Sequence, residues 1–102
     1  TGVYEAIQKA ITAVDSCVGE VVKAAVEHAY EVMIIADHGN ADNALNKDDS
    51  PNTAHSVNPV PCILVTDRYK KIREGILADV APTILSLLGI EIPGEMTGKS
   101  LI

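Results

Sequence analysis

The sequence predicts an α/β fold made of one long amphipathic helix, two short core strands and a shorter C-terminal helix. Three observations predict it. Apolar residues recur at spacings of three and four across the first 28 positions, the period of a helix with one buried stripe. Two short apolar, largely β-branched runs, Val32-Met33-Ile34-Ile35 and Cys62-Ile63-Leu64-Val65, have the length and composition of buried strands. A second helical pattern, Val80, Ile84, Leu87 and Leu88, follows the second run. At 102 residues the chain suffices for one small domain with a modest core. With three Tyr, no Phe and no Trp, that core has to be aliphatic.

The first helix is expected over about residues 3–28, roughly 39 Å long. Val3, Ile7, Ala10, Val14, Cys17, Val21 and Ala24 form its stripe, and Ile11, Val18, Val22 and Ala25 widen it. Lys9, Asp15, Glu20 and Lys23 lie off the stripe, and no systematic charge pairs flank it, so packing on a sheet is favoured over a coiled coil. His28 falls at the helix C-terminus, where an imidazole is electrostatically favoured, and is read as structural. The chain starts at Thr1-Gly2 without Met and enters this pattern at once, which reads as a cut through a larger protein.

The first strand is expected over residues 31–36. It runs into Asp37-His38-Gly39, and open α/β sheets place their chemistry just beyond strand ends. Two neighbouring side chains share an ion only if the backbone leaves the strand between them, and Gly39 is assigned that bend through its tolerance of positive φ. Residues 37–58 form a long polar loop, of a length more often functional or mobile than idle. Its Asp42, Asp48 and Asp49 are read as a solvated surface, because the spacing of a calcium loop is absent. Pro59 and Pro61 stiffen the entry to the second strand, residues 61–65. Asp79 is the expected N-cap of the second helix, Pro82 fits its first turn and Gly89 closes it. The tail from Glu91 onward reads as irregular.

A formal net charge of −6 argues against a nucleic-acid partner. No apolar run is long enough to span a bilayer and no signal peptide is legible, so no membrane association and a cytoplasmic location are expected. Cys17 and Cys62 are expected as reduced, buried thiols.

The residues with chemistry to offer are Asp37, His38 and His55. One carboxylate and two imidazoles suit manganese, zinc, iron or cobalt, but are too few to hold two ions. Neither a Gly-x-Ser-x-Gly elbow nor a glycine-rich phosphate loop is present, and Ser56 is a weak nucleophile candidate.

Four segments then come in a telling order: Ala36-Asp37-His38-Gly39-Asn40-Ala41-Asp42, Thr53-Ala54-His55-Ser56 with Asn58-Pro59-Val60-Pro61, Leu77-Ala78-Asp79-Val80-Ala81-Pro82-Thr83-Ile84-Leu85, and Glu95-Met96-Thr97-Gly98-Lys99-Ser100-Leu101-Ile102. In these the whole chain resembles the C-terminal end of the 2,3-bisphosphoglycerate-independent phosphoglycerate mutases, within the alkaline phosphatase superfamily. The resemblance implies a partial alkaline-phosphatase-like sheet. Residues 1–102 would be the C-terminal part of the metal-binding phosphatase-like domain, with no complete second domain. It implies interconversion of 3-phosphoglycerate and 2-phosphoglycerate in glycolysis through a phosphoserine, served by two divalent ions, manganese foremost, with magnesium, cobalt or zinc as alternatives. Asp37 and His38 match ligands of one metal and His55 a ligand of the other, while the serine nucleophile lies outside this chain. The parent is expected to be monomeric. The 102 residues alone are expected to be inactive and metal-poor, and to self-associate through uncovered apolar surface. A sister metalloenzyme, such as a phosphopentomutase or a phosphatase, and a non-catalytic folded fragment stay open as alternatives.

Overall fold

The computed structural model describes residues 3–102. Thr1 and Gly2, where the sequence reads as a cut, lie outside the described residues. The chain divides into two compact units, Thr1–Val65 and Thr66–Ile102.

The first unit holds helix α1 (Tyr4–Glu27) and strands β1 (Val32–Ile35) and β2 (Cys62–Val65). Glu5 sits in the first turn of α1, where a carboxylate meets the positive end of the helix dipole. At the other end the chain turns through Ala29, whose φ of +61° is left-handed. The amide of Ala29 donates to Val26 O and that of Tyr30 to Ala25 O, the paired bonds that close a helix at a left-handed residue. His28 Nδ1 donates to Ala24 O at 2.8 Å, so this imidazole caps the last turn.

α1 lies against β1. The side of α1 that is covered differs from the expected one. Ile7 is its buried residue, with Val18, Val22 and Ala25 half-buried, whereas Val3, Val14, Cys17 and Val21 are exposed. The covered face is therefore the flank of the apolar stripe, not its centre. The stripe spans more of the circumference than a two-stranded sheet covers, so periodicity alone leaves the buried edge undetermined. Cys17 is consequently an exposed thiol rather than a buried one, and Cys62 is half-buried; both are free.

β1 and β2 pair antiparallel, with Val32 opposite Val65 and Ile35 opposite Cys62. The C-terminal end of β1 thus lies beside the N-terminal end of β2, and residues 36–61 leave and return at one end of the pair.

The second unit is built around α2 (Val80–Leu87), entered through a 3₁₀ turn at Leu77–Asp79. Asp79 stands at the expected N-cap position, but its backbone is already helical and its carboxylate caps nothing in α2. Instead Oδ2 accepts the Ile76 amide at 2.9 Å and Oδ1 the Lys99 amide at 2.7 Å. These bonds, with Arg73 and Lys99 nearby, hold the carboxyl below its ordinary value. The reason is the 3₁₀ turn, which makes Asp79 the third residue of the preceding turn, with its side chain tilted back along the chain.

The irregular tail is tied down by the same region. Thr83, fully buried, donates to Asp79 O at 2.6 Å and accepts the Leu101 amide at 2.9 Å. Arg73 N donates to Leu101 O, and its guanidinium donates to Ser100 O. A Cβ on Gly98 would overlap the Ala78 carbonyl, so only glycine lets the tail approach so closely. Gly89 closes α2 as expected, with φ +69°.

Two substitutions test these termini with opposite signs. Ala29→Gly removes the Cβ strain of a left-handed residue and is expected to raise stability by about 1 kcal/mol. Gly98→Ala is expected to lower it by about 1–3 kcal/mol. Urea midpoints at unchanged slope check both.

Candidate functional site

The segment after β1 carries the predicted donors. The strand ends at Ile35, so Asp37 and His38 already stand on irregular backbone. Each is oriented by a main-chain group. Asp37 Oδ1 accepts the His38 amide at 3.0 Å. His38 Nδ1 lies 3.2 Å from Gly39 O, a carbonyl, and so carries the proton. That leaves His38 Nε2 as the lone-pair atom, 3.6 Å from Asp37 Oδ2. The Asp37 side chain is 84% exposed and that of His38 37%.

His55, seventeen positions further along, is brought onto His38. The rings stack with centroids 3.6 Å apart and planes 13° from parallel. The backbone explains the approach. Gly39 and Ser56 form an isolated antiparallel bridge, with the Ser56 amide donating to Gly39 O at 2.7 Å. A β-bridge sets its two partners side by side, and their chain neighbours His38 and His55 follow.

Gly39 is required for a different reason from the expected one. Among the described glycines only Gly89 has positive φ. A Cβ on Gly39 would overlap Ser56 Oγ and the Asp42 carboxylate, so the residue serves close approach and not a left-handed bend.

Asp42 is also more than a solvated surface group. Its Oδ2 accepts Ser56 Oγ at 2.7 Å and Asn58 Nδ2 at 2.5 Å. The Ser56 hydroxyl, then the Asn58 amide, hold this carboxyl below its ordinary value of 3.8. Asn40 Nδ2 donates to Ala54 O at 3.2 Å, a further tie across the loop. Beyond this network, Asp48 Oδ1 accepts both the amide and the hydroxyl of Ser50, and Leu45 bridges Pro51. The long loop is therefore densely bonded to itself. The pairing of Asp42 with Ser56 and Asn58 escaped the sequence reading because positions 14 and 16 apart in a loop have no periodicity to link them.

The donor chemistry fits a divalent first-row ion in part. The Asp37 oxygen and the His38 nitrogen are separated by a distance that two bonds of about 2.1 Å bridge. The His55 ring plane is nearly parallel to that of His38, so the in-plane lone pairs of the two imidazoles do not aim at one point. In keeping with this, no three His, Cys, Asp or Glu side chains among the described residues gather into a group that holds a metal.

Comparison with known proteins places the chain. A family model described as the Metalloenzyme superfamily matches residues 1–92. The chain belongs to the Metalloenzyme superfamily. It is also similar to proteins named 2,3-bisphosphoglycerate-independent phosphoglycerate mutase: 60% identical to those of Bacteroides thetaiotaomicron and Parabacteroides distasonis and 51% to that of Flavobacterium johnsoniae. Each match covers all of this chain and 20% of the relative, so the chain spans about a fifth of the length of the curated relatives it matches.

The lowered Asp42 value fixes the sign of an acid effect. Its bonds favour the charged form, so the stabilisation is complete above the unfolded value and is lost as pH falls through the lower folded one. In an acid titration the amide and side-chain resonances of Ser56 and Asn58 are expected to move with a midpoint below the ordinary carboxylate value of 3.8.

Proposed function

We propose that this chain is the C-terminal part of the metal-binding domain of a cytoplasmic 2,3-bisphosphoglycerate-independent phosphoglycerate mutase, which interconverts 3-phosphoglycerate and 2-phosphoglycerate. The observation that carries this reading is 60% identity, kept along the whole chain, to proteins of that name. Asp37 and His38 hold one divalent ion and His55 holds a second, manganese in both positions by resemblance. The 3.6 Å spacing of the Asp37 and His38 donor atoms supports the first assignment. The nearly parallel imidazole planes support giving His55 a different ion.

Such ions, when bound, acidify a hydroxyl nucleophile and neutralise phosphoryl oxygens during in-line transfer. The residues of this chain prepare their places. The Gly39 carbonyl fixes the His38 tautomer, and the His38 amide fixes one Asp37 oxygen while the other stays available. By the same resemblance the serine nucleophile lies outside this chain, and the Ser56 hydroxyl serves to bond Asp42. With a net charge of −6, the chain leaves the positive field for a phosphorylated substrate to the ions and to protein outside it.

A coupled assay of the full-length protein, without added bisphosphoglycerate, tests the reading. Turnover is expected to vanish on chelation and return with manganese. Loss of groups that merely orient ligands costs 10- to 100-fold, so Asp37→Ala and His38→Ala are each expected to cost about 100-fold or more. The 102-residue chain alone is expected to show no turnover above a metal-only control. Unimpaired Asp37 and His38 variants, or a preference for pentose phosphates, would overturn the assignment.

A further inference from the structure

His38 and His55 belong to different ends of a long loop, and nothing in either imidazole holds them together beyond their stacking. The ties lie next to them in the chain. His55 is flanked by Ala54, whose carbonyl accepts Asn40 Nδ2, and by Ser56, whose amide donates to Gly39 O. Both of these are modest single bonds. The stronger tie is ionic: one oxygen of Asp42 accepts Ser56 Oγ and Asn58 Nδ2 together, and hydrogen bonds to a carboxylate are short and about twice as strong as neutral ones. Ser56 Oγ in turn accepts the Asn58 amide at 3.4 Å, so the carboxylate grips a three-residue stretch directly after His55. Gly39 has no Cβ where one would collide with this carboxylate and with Ser56 Oγ. The strand-leaving glycine and the carboxylate are thus fitted to each other.

We propose that Asp42 is a positioning residue which, through Ser56 and Asn58, sets the His55 imidazole against His38 and so presents both for divalent ions before any ion arrives. This rests on the metal-ligand reading of Asp37, His38 and His55. Both donors from the returning arm, Ser56 Oγ and Asn58 Nδ2, meet at the single oxygen Oδ2 of Asp42, which makes this carboxylate the tie between the two arms. The loop carries its own control. Asp48 is a second exposed carboxylate of the same loop, bonded only to the nearby Ser50, and its bonds do not reach the arm that carries His55.

The test uses the full-length protein with selectively labelled histidine, in three variants: Asp42→Ala, Asp42→Asn and Asp48→Ala. In the metal-free wild type the ring protons of His38 and His55 are expected to be shifted upfield by their mutual stacking. Asp42→Ala is expected to abolish those shifts and to weaken manganese binding, followed by the spin-resonance signal of free manganese, by about 10- to 100-fold. Asp42→Asn keeps an acceptor oxygen of the same reach and is expected to restore most of both. Asp48→Ala is expected to leave both unchanged. In Asp42→Ala the further change His55→Ala is expected to cost much less affinity than it does in wild type, the coupling that a shared role requires. Retention of the ring shifts and of affinity within about twofold in Asp42→Ala would overturn the proposal, as would an equal loss in Asp48→Ala. Ring shifts that respond as expected in a protein that binds no manganese would uphold the positioning role and remove the metal reading instead.

Discussion

The bridge between Gly39 and Ser56 is the constraint on which the site depends. Closing a loop costs entropy that grows with its length, and a bare pair of imidazoles does not repay it. One main-chain bond, a missing Cβ and a carboxylate with two donors fix the closure, and the stacked histidines result from it. The two imidazoles are therefore placed by bonds that their chain neighbours make.

The same logic organises the second unit. Buried apolar side chains are few: Ile7 and Leu101 are the buried hydrophobic residues in the described part of the chain, joined by Pro82 and Thr83. Where hydrophobic burial is thin, irregular backbone is held by specific hydrogen bonds. Asp79 gathers Ile76 and Lys99 as Asp42 gathers Ser56 and Asn58, and Gly98 permits a close approach as Gly39 does. In both units a carboxylate and a glycine tie irregular segments to one another.

Periodicity made the elements legible. The long helix, both strands and the shorter helix stand within a residue or two of where their apolar spacing puts them, and Gly89 ends α2 in the left-handed turn expected of it. Which edge of the α1 stripe is covered was not legible, because that depends on how much sheet there is to cover it. The ligand candidates were legible from residue chemistry and from the motif around Asp37. Their support was not. Asp42 looked like one of three solvated acids, since its partners Ser56 and Asn58 come from the far arm of the loop and only the fold supplies that pairing. Gly39 was rightly marked as special, but through its backbone angle, whereas its lack of a side chain is what matters.

The central claim is that Asp37 with His38, and His55 separately, are ligands of two different divalent ions. Anomalous diffraction at the manganese edge from crystals of the full-length protein tests it most directly. The account predicts two peaks, one at about 2.1 Å from both Asp37 and His38 Nε2, the other bonded to a His55 nitrogen. A single peak shared by both imidazoles, or manganese bound away from all three residues, would contradict it.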